Sequence, residues 1–505
     1  MNSADETPVE FTVTLPPGPY PGLRPFNPDE WPIFFGRERM ADEVVARLIR
    51  DQFVVVHGDS GCGKSSLIRA GVLPRLEQEN ARGGLSWRTA ITQPRNAPLE
   101  LLAAACAGLD GRPGDEDRVL AFRRILNYGA DAPPILAQQL RRGPTDHICI
   151  LIDQFEELFA FARRSDSADA SLFVEVLVAL LEQPPPGLYA VVTMRSEYLG
   201  ACAHFRGLAE AVNRAQYLLP RMNHADLMRA VREPAELYGG SVSADLAERL
   251  ISDSGGSQDQ LPLIQHGLMQ LARDQRAAAT VGTGEPASWR IELTDYLKTG
   301  DLSESLSNHA DHVLSTVDAP PFVVTEKLFR AITEINADGR AVRRPRTLQQ
   351  VAEVCGTDIA TVGRIVDAFR AEGASFLTPF GTAPLSAGTL IDISHEALIR
   401  CWSRIAAPSG WLAHEFQDGL IWRSLRVQAG DFARDEEHLL ALATAEDQAT
   451  WMQQHGAPWA ERYGGGWDRV KRMIDVSTAS GRAARRERQA SARRKRQLAI
   501  AFGVS

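Results

Sequence analysis

The sequence lacks the patterns that mark secreted, disulfide-bonded or membrane-spanning proteins. Its six cysteines are scattered along 505 residues and none forms a CxxC pair, which argues against a disulfide framework or a zinc site and fits a reducing cytoplasm. The N-terminus, MNSADETPVE, has neither the basic start nor the apolar core of a signal peptide. The apolar stretch near the C-terminus, LAIAFGV, falls far short of the roughly 20 residues that a membrane span needs. We therefore expect a cytoplasmic protein that, as given, does not cross a bilayer.

The composition is that of a folded protein with an uneven charge. Hydrophobic residues make up 44% and charged residues 24%, which is typical of globular proteins and excludes a mainly disordered chain. At roughly 150 residues per domain, the length predicts about three domains. Residues 480–505 carry a net charge of +7, which leaves −16 on the rest of a chain whose total is −9. An acidic body offers no large footprint for DNA.

A basic run, Arg493-Arg494-Lys495-Arg496, directly precedes LAIAFGV. A basic flank before an apolar stretch is how the cytoplasmic side of a membrane helix begins. Two interpretations stay open: a fragment of a longer protein, membrane-associated if a span follows residue 505, or a solvated basic helix.

Short apolar runs separated by helical stretches predict an α/β fold for the first part of the chain. The strand candidates are FVVVH (53–57), WRTAIT (87–92), ICILID (148–153), LYAVVTM (188–194) and AQYLLP (215–220). Buried strands that alternate with helices favour a parallel sheet covered on both faces.

The later part predicts smaller, mainly helical regions, and we expect no strands in the region directly after about residue 222. Amphipathic segments such as HADLMRAVREPAELYG and LPLIQHGLMQLARDQ predict helices, and AAATVGTGEPAS (277–288) predicts a loop. Helices followed by one hairpin, FLTPFGTAPLSAGTLIDIS, predict a winged helix. The predicted domains are a disordered 1–18, a nucleotide-binding 19–222, a helical 223–317, a winged-helix 318–410 and a helical 411–505 with a basic tail.

The strongest motif is a phosphate-binding loop that runs from Gly58 to Ser65. Its sequence, GDSGCGKS, matches GxxxxGK[ST] and stands between a buried strand and an amphipathic helix. Glycines let the backbone N–H groups face phosphate oxygens, and the helix dipole favours the same anion. The predicted nucleotide-binding residues of this loop are Gly58, Ser60, Gly61, Gly63, Lys64, Ser65 and Ser66. Lys64 is predicted to reach the β- and γ-phosphates of ATP, and Ser65 to ligate Mg²⁺.

The second chemical element is the acidic end of ICILIDQFEELF. Asp153 is predicted to hold Mg²⁺ through its water shell. Glu156 or Glu157 could orient the attacking water, or both could merely cap the next helix, where acids are favoured. Arg195 ends the fourth strand candidate, where it could detect the γ-phosphate or form a plain surface ion pair.

With these residues placed, the chain resembles the STAND class of P-loop ATPases, and most of all the bacterial group called novel STAND NTPase 1. The resemblance covers about residues 19–410 and is carried by PYPGLRPF, FFGRER, DQFEEL and ISHEALIRCW. It implies an α/β P-loop NTPase core with a parallel sheet, ASCE and AAA-like, followed by a helical lid, a winged-helix domain and a helical C-terminal tail. It also implies bacterial signalling or antiphage defence.

The resemblance adds nucleotide contacts that the residues alone do not predict. It implies that Phe35, Gly36 and Arg37 lie over the adenine, and that Pro262 of LPLIQH packs against it. It makes Arg195 a sensor of the γ-phosphate and His395 the histidine that touches the ADP β-phosphate. Met40 and Ala41 replace the acid that usually follows FFGRER, and GGSQDQLP is a loosened form of the element before the lid helix. Gln154 stands where fast-hydrolysing relatives have glutamate, which puts rapid turnover in doubt.

The sequence thus predicts a slow ATP-hydrolysing switch that cycles between ADP and ATP and self-associates on activation, with an unknown sensor or effector partner. One alternative is a DNA-binding regulator that uses the winged helix, although DIATVGRIVDAFRAEG carries three acids against two arginines and so disfavours DNA. The other is an ATP-binding scaffold tethered to a membrane by its basic tail.

Overall fold

The computed structural model describes residues 14–78, 84–164, 168–280, 288–317, 322–336 and 339–502. The chain divides into two compact units, Met1–Ser305 and Leu306–Ser505. Residues 1–13 of the predicted disordered segment and residues 281–287 of the predicted loop lie outside the described residues.

The first unit is built on a five-stranded sheet in the order β2-β3-β4-β1-β5. Every neighbouring pair in it is parallel. The strands are β1 Phe53–Gly58, β2 Ser86–Thr92, β3 Asp146–Ile152, β4 Leu188–Arg195 and β5 Gln216–Leu218. All five predicted strands are therefore present, and the predicted parallel sheet is confirmed.

The central strands β1, β3 and β4 are buried on both faces, which explains why they are nearly continuous apolar runs. Along β1, Phe53 and Val55 pack into one core, whereas Val54 and Val56 pack into the core on the opposite face. Successive side chains of a strand point to opposite faces, so a strand covered on both sides has no polar alternation.

Helices cover the sheet and continue beyond it. The α-helices of the first unit span Glu38–Asp51, Lys64–Ser66, Leu73–Gln78, Pro98–Leu109, Glu116–Leu126, Ala132–Leu140, Glu156–Arg164, Ala168–Glu182, Leu208–Ala215, His224–Glu236, Ala244–Asp253, Gln260–Thr280 and Leu293–Thr299. Short 3-10 helices span Pro28–Ile33, Gly129–Asp131 and Ser196–His204. A further α-helix, Leu302–Thr316, carries the boundary between the units.

The expectation that strands vanish after residue 222 is wrong. β6 (Gly240–Val242) and β7 (Trp289–Ile291) form a parallel pair. Trp289 lies so close to Gly240 that a Cβ there would overlap the indole, and its Nε1 donates to the Tyr238 carbonyl at 3.1 Å. Strands of three residues are too short to show an alternating pattern, so the sequence did not reveal them.

The second unit begins with three helices and a small sheet. The helices are Phe322–Ala331, Leu348–Cys355 and Ile359–Arg370. β10 (Arg346–Thr347), β11 (Leu377–Thr378) and β12 (Leu390–Ile393) form an antiparallel sheet in the order β10-β12-β11. A further antiparallel pair, β8 (Thr333–Ile335) with β9 (Ala341–Arg343), was not predicted. Helices followed by a hairpin is the order that the winged-helix prediction requires.

The rest of the second unit is helical. Its helices span Ala397–Cys401, Ser403–Ala406, Trp411–Arg434, Leu442–Met452, Ala457–Glu461 and Trp467–Phe502. Trp422, Trp459 and Met473 are among the buried residues of its core. Among the described residues, no helix is long and apolar enough to cross a membrane.

Candidate functional site

The phosphate-binding loop joins the end of β1 to the helix that begins at Lys64. Gly63 precedes that helix with a φ of 91°, a left-handed conformation that side-chain-bearing residues adopt at a cost. A π-helical turn, Leu67–Val72, follows the first helical residues. The loop therefore curls tightly into a helix N-terminus, the arrangement that binds anions in P-loop proteins.

The Lys64 ammonium lies over this loop. Its Nζ donates to the carbonyl oxygens of Gly58 at 3.0 Å and Asp59 at 2.7 Å. Backbone carbonyls are neutral acceptors, so a phosphate oxygen would be a stronger partner for the same ammonium.

The carboxylate of Asp153, just after β3, lies at the base of the loop and is fully buried. Ser65 Oγ and Thr193 Oγ1 donate to its Oδ1 at 2.7 and 2.6 Å. Arg69 Nη2 donates to its Oδ2 at 2.9 Å. Burial alone would raise the pKa of Asp153, but the Arg69 charge and the hydrogen bonds from Thr193, Ser65 and Arg69 outweigh it and hold the pKa below its usual value.

Ser65 and Asp153 fit a magnesium ion by the chemistry of their donor atoms. Because Ser65 donates its hydroxyl proton to Asp153, its oxygen lone pairs remain for a cation. Mg²⁺ prefers hard oxygen ligands and usually takes one or two from the protein and the rest from water and phosphate. In the described part of the chain, no group of three or more His, Cys, Asp or Glu could hold a metal.

The two glutamates after Asp153 face different partners. Glu156 Oε1 lies 3.2 Å from Arg195 Nε, and its Oε2 accepts from the Arg195 backbone N–H at 3.3 Å. Glu157 Oε2 accepts from the Arg95 backbone N–H at 3.2 Å. Arg195 stands opposite Gly58 in the sheet register. The structure thus brings Arg195 to the edge that carries the phosphate-binding loop, with Glu156 as an ion-pair partner.

Arg37, predicted to lie over the adenine, is buried beside the phosphate-binding loop. It donates to the Cys62 carbonyl at 2.9 Å and to the Pro220 carbonyl at 2.6 Å. These bonds connect the loop to the segment that leaves β5. Gly36 has a φ of 82°, and a Cβ there would stand 2.5 Å from the Asp226 carbonyl oxygen, so only glycine fits. Phe35 is half-buried.

The N-terminal end of helix Gln260–Thr280 also reaches the loop. Leu261 would stand 3.6 Å from a Cβ placed on Gly63, and Pro262 is the next residue of that helix. A cavity here is lined by residues from four segments, among them Arg37, Ser60, Met222 and Leu261. Of the predicted nucleotide-binding residues, Arg37, Ser60 and Gly61 line this cavity.

His395 belongs to the second unit, just before helix Ala397–Cys401. Its Nδ1 accepts from the Ala397 backbone N–H at 3.1 Å, so the neutral ring carries its proton on Nε2. Glu396 is buried and pairs with Arg343 at 2.9 Å. The histidine is thus held in the tautomer that presents Nε2 as a donor.

Sequence reasoning missed several residues that complete the site. Arg69 stands four positions after Ser65, one helical turn further on, a spacing that could have revealed it. Thr193 precedes Arg195 by two positions on β4. Gln93, after β2, directs Nε2 toward Asp153 Oδ2 at 3.5 Å. No motif marks Thr193 or Gln93, because only the sheet order brings β4 and β2 beside β3.

A glycine-rich loop at the end of a buried strand, with Asp153 directly after a second strand and at the base of the loop, defines a P-loop ATPase. The family model of novel STAND NTPase 1 matches residues 19–438. The chain belongs to this family, which confirms the resemblance drawn from its motifs. A search of curated proteins found no match.

Solved structures of similar fold include several ATPases. The Aeropyrum pernix ORC1 protein in complex with DNA is 15% identical, with 74% of this chain and 94% of that chain covered and a TM-score of 0.40. The ADPNP–ADP complexes of Aeropyrum pernix ORC2 are 15% identical, with 71% of this chain and 82% of that chain covered and a TM-score of 0.36. A Thermotoga maritima RuvB mutant is 14% identical, with 75% of this chain and 97% of that chain covered and a TM-score of 0.30. At these identities and TM-scores, the likeness carries no argument about ligands or partners.

Proposed function

We propose that this ATPase is a signalling switch of the STAND class, in which slow ATP hydrolysis alternates the chain between an ADP state and an ATP state. The observation that carries the proposal is the Ser65–Asp153 hydrogen bond of 2.7 Å at the base of the phosphate-binding loop. This hydrogen bond brings together two oxygen-bearing side chains that could ligate a metal beside the ammonium of Lys64. The family membership of residues 19–438 supports the switch function.

Each residue of the site has a proposed role in binding. The backbone N–H groups from Gly58 to Ser65 hold the phosphates, and Lys64 exchanges its carbonyl partners for β- and γ-phosphate oxygens. Ser65 and Asp153 hold Mg²⁺, which when bound neutralises phosphate charge. Phe35, Gly36, Arg37 and Pro262 border the base, and Arg195 detects the γ-phosphate.

The geometry around Asp153 favours slow turnover. Gln154, in place of a glutamate, has a φ of 55° and its N–H is tied to Thr193 Oγ1 at 3.0 Å. Glu156 is paired with Arg195, which holds its carboxylate on the arginine. A general base acts only within hydrogen-bond reach of the attacking water, so Glu156 must leave this ion pair, or Glu157 must act instead.

We propose that the sheet of β10, β11 and β12 forms a winged helix that responds to the nucleotide. Its helices are Phe322–Ala331, Leu348–Cys355 and Ile359–Arg370. His395, presenting Nε2–H, contacts the β-phosphate of ADP in this proposal and holds the closed ADP state. A nucleotide shifts a conformational equilibrium only if it binds the two states with different affinity. Self-association follows from the ATP state.

Nucleotide exchange in the full-length chain tests the switch. His395→Ala is expected to speed ADP dissociation by roughly tenfold, since it removes a charge-assisted bond, and to change ATP affinity little. His438→Ala is the matched control, an exposed histidine of the same unit. Sedimentation with ADP and with Mg·ATP measures self-association. Equal ADP and ATP affinities with identical hydrogen-exchange patterns would exclude a switch.

The basic end of helix Trp467–Phe502 supports a membrane contact. Its arginines from 485 to 496 are exposed, and the same helix continues into apolar residues. Basic clusters beside apolar residues bind anionic lipid surfaces. Flotation with anionic liposomes tests this contact by comparing the full chain with one ending at 479. Equal flotation of the two would exclude it, and salt-sensitive binding to duplex DNA would favour the regulator alternative.

A further inference from the structure

Arg69 lies in the π-helical turn that follows the phosphate-binding loop. Its Nη2 donates to Asp153 Oδ2 at 2.9 Å, and its side chain is 17% exposed. Its Nε is buried and has no hydrogen-bond partner among the described residues. The Arg69–Asp153 pair is therefore largely shielded from solvent, and part of the guanidinium lacks a hydrogen-bond partner among the described residues, which distinguishes it from an exposed surface ion pair.

The other neighbours of Asp153 do not balance its charge. Ser65 and Thr193 contribute neutral hydroxyls. Lys64 donates to the carbonyls of Gly58 and Asp59. Among the described ion pairs, Arg69 is the cation that meets the fully buried Asp153. A buried carboxylate requires such a partner.

The two oxygens of Asp153 have separate partners. Oδ1 accepts from the hydroxyls of Ser65 and Thr193, whereas Oδ2 accepts from Arg69 and has Gln93 Nε2 at 3.5 Å. A metal held through Ser65 and Oδ1 therefore need not displace the guanidinium. In the absence of a metal, Arg69 still fixes the rotamer that keeps Asp153 against Ser65.

We propose that Arg69 is the resident cation of the metal-binding carboxylate and allows the site to hold a nucleoside diphosphate without Mg²⁺. It balances the charge of Asp153 and keeps this carboxylate and the loop in their binding geometry before a metal arrives. This inference rests on the proposed function, which makes Asp153 the carboxylate that holds the metal. Arg69 is a positioning residue, since it acts through Asp153.

Calorimetric titration of ADP into the full-length chain tests this role, once in excess chelator and once in Mg²⁺. The wild-type dissociation constants in the two buffers are expected to agree within about threefold. Arg69→Gln is expected to raise the chelator-to-Mg²⁺ ratio by about tenfold or more, since residues that orient metal ligands typically change affinity by 10–100-fold. Arg69→Lys keeps the charge but not the planar guanidinium, so its chelator-to-Mg²⁺ ratio is expected to lie between those of the wild type and Arg69→Gln.

Arg75→Gln is the matched control, because Arg75 lies on the same helical segment but pairs with exposed Asp42, and its ratio is expected to equal the wild-type ratio. Equal loss of ADP affinity in both buffers would make Arg69 merely structural and overturn the inference. A wild-type chain that already requires Mg²⁺ for ADP would overturn it as well. Should Arg69→Gln not fold, Arg69→Met, which also removes the charge, replaces it, and a ratio equal to the wild-type ratio in that variant would overturn the inference. A wild-type chain that binds ADP in neither buffer would instead overturn the proposed function.

Discussion

Both units bury carboxylates, but they satisfy them differently. Asp153 in the first unit has one cationic partner, Arg69, and its other oxygen faces the hydroxyl of a phosphate-loop serine. Glu415 in the second unit meets two arginines, Arg330 at 2.9 Å and Arg462 at 3.0 Å. It also accepts from an indole and a phenol, those of Trp459 at 3.0 Å and Tyr463 at 2.7 Å.

The difference separates a binding site from a structural network. Around Glu415 the donors come from helix Phe322–Ala331, from helix Ala457–Glu461 and from the turn that follows it. Arg330 extends the network to Asp418. No ligand is needed to complete it. Asp153 lies beside a loop whose N–H groups and ammonium are suited to an anion, and we propose that nucleotide and metal complete its surroundings. Burial of a charge therefore does not by itself mark function.

The largest expected effect is on the structural network. Glu415→Ala leaves Arg330 and Arg462 buried without their shared carboxylate, which should lower the free energy of unfolding by about 3–5 kcal/mol. Urea unfolding followed by tryptophan fluorescence measures it, since Trp422 and Trp459 lie in this core.

Glu436→Ala is the control for that measurement, because its ion pair with Arg472 is exposed on both sides and should change stability by less than about 0.5 kcal/mol. Similar losses in the two variants would contradict the assignment of Glu415 to a structural network. Nucleotide affinity should be unchanged in both.

Ser65→Ala sharpens the comparison from the side of the binding site. Removing the hydroxyl takes away a ligand of the proposed metal, so ATP affinity in Mg²⁺ should fall by about tenfold or more. ADP affinity in chelator should stay within about threefold, because Lys64 and the loop amides remain. Calorimetry measures the ATP affinity in Mg²⁺ and the ADP affinity in chelator, with Ser386→Ala, at an exposed serine, as the control. Equal losses of affinity in both buffers would argue against Ser65 as a metal ligand.

Acid should weaken the second unit through Asp418. Burial alone would raise the pKa of Asp418, but hydrogen bonds from His455, Trp451 and Arg330, together with the charge of Arg330, lower it from 3.8 to about 2. A carboxyl with a depressed folded-state pKa stabilises the fold above its unfolded value, and this contribution is lost as the pH falls from about 4 toward 2. Asp418→Asn should be less stable at neutral pH and should lose less stability over that interval, measured by unfolding at several pH values. An unchanged slope would mean that Asp418 does not drive the acid response.

The smallest expected effect concerns the backbone beside Asp153. Gln154 has a φ of 55°, and the left-handed region costs a side-chain-bearing residue roughly 1–2 kcal/mol. Gln154→Gly should relieve this strain and stabilise the first unit by about 0.5–1 kcal/mol relative to Gln154→Ala. The net gain is smaller than the strain because glycine has a more flexible unfolded state. Urea midpoints compare the two; an Ala variant as stable as the Gly variant would show that the conformation is unstrained.

Much of the fold of the first unit was predictable because its central strands, β1, β3 and β4, are buried on both faces. Long apolar runs such as that of β4 are visible in sequence, whereas the three-residue strands β6 and β7 are not. The order of the strands depends on how helices cross the sheet, which no local pattern encodes. Predicting Asp153 needed only its place at the end of a buried strand.

The partners of the site residues were less predictable. The proximity of Thr193 to Asp153 requires β4 to lie beside β3, and a single sequence does not state this. Arg69 lay one helical turn from Ser65, so its face could be predicted, but its pairing with Asp153 could not. The roles assigned to Phe35, Pro262 and His395 came from the family resemblance and stay predictions.

The most direct test of the account is calorimetric binding of Mg·ATP and Mg·ADP to the intact chain and to Lys64→Ala, with Lys298→Ala as a control at an exposed lysine. Both nucleotides should bind to the wild type and to the control, and Lys64→Ala should lose about 100-fold in affinity, or roughly 2.7 kcal/mol. Folded wild-type protein that shows no binding heat with either nucleotide and carries none from purification would contradict it.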